Sequence, residues 1–172
     1  MSYHMDPFCA HMKDYSRVIK KLAEAHNELK KIGERDIFSK GGIGEIILAH
    51  HLKHNLWSKD KGPDAYDRKS RKFEYKVSMT NKFVFHFGSR SKKKTVDEQV
   101  WQRFEGVAGT YCAEREGTEV VQLFYIPTEQ VVPMLIRYFK KRRIFGQMQK
   151  SYTCATLKRL GYEISTTKHR LT

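Results

Sequence analysis

Apolar and polar positions alternate along this chain with two different periods, and the change of period marks out its elements. From Met12 to Ile32, Tyr15, Val18, Ile19, Leu22, Ala25, Leu29 and Ile32 recur at three- and four-residue spacings, with Lys and Glu on the other faces. That pattern predicts an amphipathic helix, and Gly33 is a natural stop. A second helix is expected after Gly41-Gly42, from Ile43 to about His54, with Ile46, Ile47, Ala49 and Leu52 turned inward. Gly62-Pro63 breaks the next stretch. Asp64–Arg68 and Lys72–Met79 then read as two strands around the polar turn Lys69-Ser70-Arg71, and Lys82–Phe87 alternates like a half-buried strand. Thr95, with Glu98 three residues on, has the form of a capping box opening a helix through Phe104. Val107–Ala113 and Glu119–Ile126 are strands flanking a turn at Arg115–Thr118, and Pro127 opens a helix to about Lys141. The tail from Phe145 onward holds a short helix near Ala155–Leu160 and a final strand. The order predicts a mixed central β-sheet flanked by α-helices, an α/β (α+β) architecture. The 172 residues fit a single domain spanning 1–172.

Charge narrows the choice of partner. Thirty-three Lys and Arg against 19 Asp and Glu leave a formal +14, which points to a polyanion, nucleic acid first. No apolar run reaches the roughly 18 residues a membrane helix requires, so no membrane partner is expected. The start of the chain lacks the apolar core of a secretory signal. Cys9, Cys112 and Cys154 are odd in number and lack CxxC spacing. They read as free thiols in a reducing, cytoplasmic compartment, and argue against a disulfide framework or a zinc site. His50, His51 and His54 fall on the second helix, but no Glu lies between them as in HExxH and no third ligand is evident, so they read as a polar face.

The stretch that carries chemistry is Gly62-Pro63-Asp64-Ala65-Tyr66-Asp67, followed by Lys72-Phe73-Glu74-Tyr75-Lys76-Val77-Ser78. Glu74 and Lys76 are two apart on one strand and leave the same face, while Phe73, Tyr75 and Val77 point the other way. A turn near Ser70 brings Asp64 beside Glu74. Two carboxylates and one ammonium converge at a strand edge, the mixture that phosphodiester hydrolysis needs. Carboxylate oxygens suit Mg²⁺, the ion activates water and neutralises phosphate, and an adjacent lysine orients the water or stabilises developing charge. A set of solvated charges on an exposed hairpin is the plain alternative, against which the apolar opposite face argues.

Pro63-Asp64 and Glu74-Tyr75-Lys76 resemble the motif of the PD-(D/E)XK nuclease superfamily. Locally, DIFSKGG and DAYDRKSRKFEYKVS are similar to the corresponding parts of small homodimeric type II restriction endonucleases, over residues 36–90 at most. The resemblance implies a restriction-endonuclease-like sheet and a Mg²⁺-dependent endonuclease acting on double-stranded DNA. In it Asp64, Glu74 and the Tyr75 carbonyl would hold the metal, Lys76 would serve the water, and Glu45 would support the metal site from the preceding helix. Restriction enzymes of this kind are homodimers, and the helix at about 12–32 is the candidate dimer element. FVFHFGS follows where such enzymes read bases. Asn81 and His86 are therefore candidates for base contacts, and Ser89, Arg90, Lys92, Lys93 and Lys94 for phosphates. Holliday junction resolvases share the motif and the small size, and a non-catalytic DNA-binding module is the alternative of another class.

Overall fold

Six strands form a mixed sheet with a single parallel step, between the strands Lys72–Ser78 and Val107–Glu116. In this computed structural model residues 7–31, 42–57, 62–142 and 147–164 are described, with the side chains of residues 7–16 and 30 left aside. Gly33, the side chains of Tyr15 and Cys9, Ile32, and the start of the tail at Phe145 lie outside the described residues. The chain divides into two compact units, 1–42 and 43–172. The first contributes α1 (Pro7–Lys31), whose Val18, Ile19 and Leu22 are exposed, Ile19 to 65%.

The second unit begins within α2 (Gly42–Leu52), at its second residue, and continues with β1 (Asn55–Leu56), β2 (Ala65–Tyr66), β3 (Lys72–Ser78) and β4 (Lys82–Ser89). It continues with α3 (Val96–Arg103), β5 (Val107–Glu116), β6 (Glu119–Pro127) and α4 (Thr128–Lys141), then β7 (Gln147–Thr153), α5 (Cys154–Arg159) and β8 (Glu163–Ile164). The sheet order is β1-β2-β3-β5-β6-β8, with β3 and β5 parallel and the other pairs antiparallel. A parallel neighbour needs a crossover, and β4 with α3 supplies it. The fold is thus mixed α/β, with a six-stranded mixed sheet and five helices among the described residues. None of those helices is long and apolar enough to cross a membrane.

Alternation along β3 and β5 feeds two cores. Phe73, Tyr75 and Ala113 face one side and pack with Leu48 and Ala49 of α2 and Leu123 of β6. Cys112, Phe124 and Ile126 face the other, beneath Val100 and Phe104 at α3, Val131 and Leu135 of α4, and Phe83 and Phe85 of β4. Phe73, Phe124 and Phe83 are almost fully buried, and removing such a ring typically costs about 3–5 kcal/mol. Backbone approach is tight at Gly109, where a Cβ would stand 2.5 Å from the Tyr125 ring.

Three elements differ from the sequence expectation. Lys82–Ser89 leaves the central sheet and pairs antiparallel with β7 in a separate two-stranded ribbon. Its Phe83 and Phe85 drop into the core under α4, and β5 takes the place beside β3. Gln147–Thr153, to which the sequence assigns no element of its own within the tail, is the partner strand. Its apolar anchors Met148 and Tyr152 are four apart, a spacing that suits a helix and a strand equally. The first hairpin strand is also short: Asp67 closes a turn instead of extending it, its Oδ1 accepting from the amides of Lys69 and Arg71 at 2.9 Å each.

Candidate active site at the hairpin edge

Gly62 and the Asp67 turn fix the two ends of the hairpin. Gly62 has φ +137°, and a Cβ there would stand 2.8 Å from the indole nitrogen of Trp57, so glycine is required just before Pro63-Asp64. At the far end Arg71 grips Asp67 Oδ2 through Nε at 2.8 Å, and Ser70 takes the left-handed region at φ +59°. Ala65 pairs with Phe73 and Tyr66 with Lys72, so Asp64 falls opposite Glu74. The Asp64 amide donates to the Phe73 carbonyl at 2.9 Å, and the Tyr75 amide donates to Asp64 Oδ2 at 2.7 Å.

Both acids are buried, Asp64 to 7% exposure and Glu74 to 2%. A buried carboxylate must be compensated, and Glu74 is compensated twice. Lys76 Nζ lies 2.6 Å from Glu74 Oε1 and also donates to the Tyr75 carbonyl at 3.0 Å. Arg103, in the last turn of α3, reaches the same Oε1 with Nη2 at 2.7 Å. Burial pushes the Glu74 carboxyl up, and the charges and hydrogen bonds of Lys76 and Arg103 more than reverse this, leaving it below the usual carboxylate range. Glu74 is therefore ionised at neutral pH.

The opposite face of β3 is locked. Tyr75 Oη and His54 Nδ1 are 2.9 Å apart, and the His54 ring stacks on Phe73. Burial lowers the His54 pKa and raises that of Tyr75, so the pair is held as neutral imidazole and neutral phenol. His54 thus belongs to the packing behind the site. Glu45 lies half-buried in the first turn of α2, and its charge acts on Tyr75 and Arg103. Next to it Gly44 faces Val77 of β3, where a Cβ would stand at 3.1 Å.

The residues proposed for DNA contact separate into groups. His86, exposed on β4, lines a cavity of about 510 Å³ together with Lys94, Gln102 and Arg103. Lys92 and Lys93 are exposed in the loop before Thr95. Ser89 contributes its carbonyl, which accepts from Gln99 Nε2 at 2.9 Å. Arg90 lines a different depression, with Asp97 and Lys140. Asn81 precedes β4 at a positive φ of 49° and its carbonyl accepts from the Cys154 amide. Five residues of strand, roughly 17 Å, separate it from His86, so the structure does not bring those two together.

Sequence reasoning missed Arg103 and Gln99. Gln99 ties the end of β4 to α3, donating to Phe87 O and Ser89 O and accepting from the Ser91 amide. It also missed Thr110 of β5, aligned with Glu74, whose buried hydroxyl has no hydrogen-bond partner among the described residues. Among those residues no group of three or more His, Cys, Asp or Glu is assembled as a metal cage. What the hairpin edge offers is oxygen: two carboxylates and the Tyr75 carbonyl.

A mixed α/β fold with two buried acids, a lysine and an arginine converging at one strand edge is the extent of what fold and geometry define. No family model matches the chain, and no curated protein matches it.

Proposed function

We propose that this protein is a Mg²⁺-dependent endonuclease of double-stranded DNA, built on a restriction-endonuclease-like arrangement of its mixed sheet and acting as a homodimer. One observation carries the reading: Asp64, Glu74, Lys76 and the Tyr75 carbonyl converge at the β2–β3 edge of a chain with a formal +14 charge. Magnesium is commonly held by one or two carboxylates, with waters and substrate phosphate completing its shell. Asp64, Glu74 and the Tyr75 carbonyl fit that requirement without a larger cage. When bound, the ion supplies charge neutralisation at the phosphate and acidifies water.

The chain's own residues do the rest. Hydrogen bonding from the Tyr75 amide fixes the Asp64 carboxylate. Glu74 is kept ionised by its two cationic neighbours. Lys76, held by Glu74 and the Tyr75 carbonyl, would orient an attacking water and donate to charge developing on the phosphate. His86, Lys92, Lys93 and Lys94 extend a basic surface from α3 and β4 for the nucleic acid. The test is linearised plasmid DNA with and without Mg²⁺. Discrete, reproducible fragments that need the metal are expected. An untouched plasmid beside a cleaved synthetic four-way junction would replace this reading with a structure-specific nuclease.

A further inference from the structure

We propose that Arg103 is a phosphate-binding residue of this site, which Glu74 holds until a divalent cation takes its place. The inference rests on the nuclease reading above. One buried oxygen, Glu74 Oε1, takes both Lys76 Nζ at 2.6 Å and Arg103 Nη2 at 2.7 Å. Two cations on one oxygen repel each other, and the two differ in freedom. The Lys76 side chain is 19% exposed and is also held by the Tyr75 carbonyl; the Arg103 side chain is 47% exposed. Arg103 is the one able to move.

It has somewhere to go. Arg103 lines the cavity of about 510 Å³ whose other walls include His86, Lys94 and Gln102, a lining of cations and amides suited to an oxyanion. A guanidinium presents a planar fork of donors that matches phosphate oxygens. The support is rigid. Thr95 and Glu98 close a capping box at the start of α3, Gln99 clamps Phe87, Ser89 and Ser91, and Lys94 bonds Gln102.

The balance of charge gives the proposal its signature. Asp64, Glu74 and Glu45 all act on Arg103, so its positive charge opposes a cation bound among those acids and favours an anion there. Without Arg103 the site carries one positive charge fewer, which favours the divalent cation and disfavours the phosphate. Arg103 therefore opposes the metal and favours the nucleic acid.

The experiment measures the two ligands separately on the full-length protein. Mn²⁺ binding is read by electron paramagnetic resonance without DNA. Duplex binding is read by fluorescence anisotropy in Ca²⁺ across a salt series. For Arg103→Gln, removing one opposing charge should tighten Mn²⁺ by about tenfold. Duplex affinity should weaken by about tenfold, and the salt slope should fall by about one. Arg103→Lys keeps the charge but loses the fork, so its Mn²⁺ affinity should match the parent and its duplex affinity should fall between the two. A structural arginine that merely braces Glu74 would weaken both ligands together, and that result, or no change in either, overturns the proposal. A parent protein that binds neither Mn²⁺ nor duplex would remove the nuclease reading and this inference with it.

Discussion

The Tyr75 amide donates to Asp64 Oδ2 at 2.7 Å, so the strand bearing Glu74 and Lys76 also positions the opposing acid. This splits the structural role of Asp64 from its proposed chemical one. Asp64→Asn keeps an acceptor for the amide, whereas Asp64→Ala strands a buried N–H, at about 1–3 kcal/mol. Thermal melts should show the alanine variant clearly less stable than the asparagine variant. Both should lose cleavage by about 100-fold or more, the scale at which removing one preorganised electrostatic partner acts. An asparagine variant that cuts at the parent rate would release Asp64 from metal binding.

Glu74 predicts a pH dependence with a definite sign. Its folded pKa lies below the ordinary 4.5, so its contribution to stability is fully present above that value and is lost as pH falls through the folded pKa. Glu74→Gln, measured in EDTA, should be less stable than the parent at pH 7 by about 1–3 kcal/mol. The gap should shrink steadily below pH 4.5. A gap that widens on acidification would contradict the ion-pair assignment.

Lys92, Lys93 and Lys94 are exposed, and Lys94 reaches Gln102. Neutralising all three should weaken duplex binding and lower the salt slope by about 0.9 for each phosphate the protein then leaves unneutralised. His86→Ala should change the fragment pattern instead, because a groove contact reads base edges. An unchanged salt slope in the triple variant would move the phosphate track elsewhere, with Arg90 and Lys140 as the alternative basic pair.

The hairpin geometry is legible in the sequence because it is local. Strand alternation fixes which of Phe73, Glu74, Tyr75 and Lys76 share a face, and a short turn fixes what lies opposite. The capping box at Thr95 is legible for the same reason. Arg103 is not, since it reaches Glu74 from 29 residues away through a crossover whose geometry no local pattern encodes. The pairing of β4 with β7 is hidden likewise, because it joins segments some sixty residues apart in a chain where Met148 and Tyr152 suit either period. Asn81 and His86 are close in sequence, yet the first half of β4 lies between them.

Two-fold symmetric DNA is cut on both strands most simply by a two-fold symmetric protein. The apolar residues Val18, Ile19 and Leu22 of α1 are exposed and are the proposed contribution of that helix to the dimer. The 20.3 kDa chain should therefore show a dimeric mass by light scattering at micromolar concentration. Ile19→Glu with Leu22→Glu should shift it toward the monomer and reduce double-strand cutting. A parent chain that stays monomeric with DNA present would count against the homodimer.

The most direct test of the site compares the parent with Lys76→Ala on the same duplex, measuring binding in Ca²⁺ and cleavage in Mg²⁺. Lys76 contacts Glu74 and the Tyr75 carbonyl, so its removal leaves the proposed metal ligands in place while taking away the group assigned to the water and the phosphate. The account predicts metal-dependent cleavage by the parent, with the variant still binding the duplex, weaker by no more than about the tenfold expected of Arg103→Gln because the same unit of charge is lost, but not cutting it. Cleavage by Lys76→Ala at the parent rate, or a parent that binds and never cuts in Mg²⁺, would contradict it.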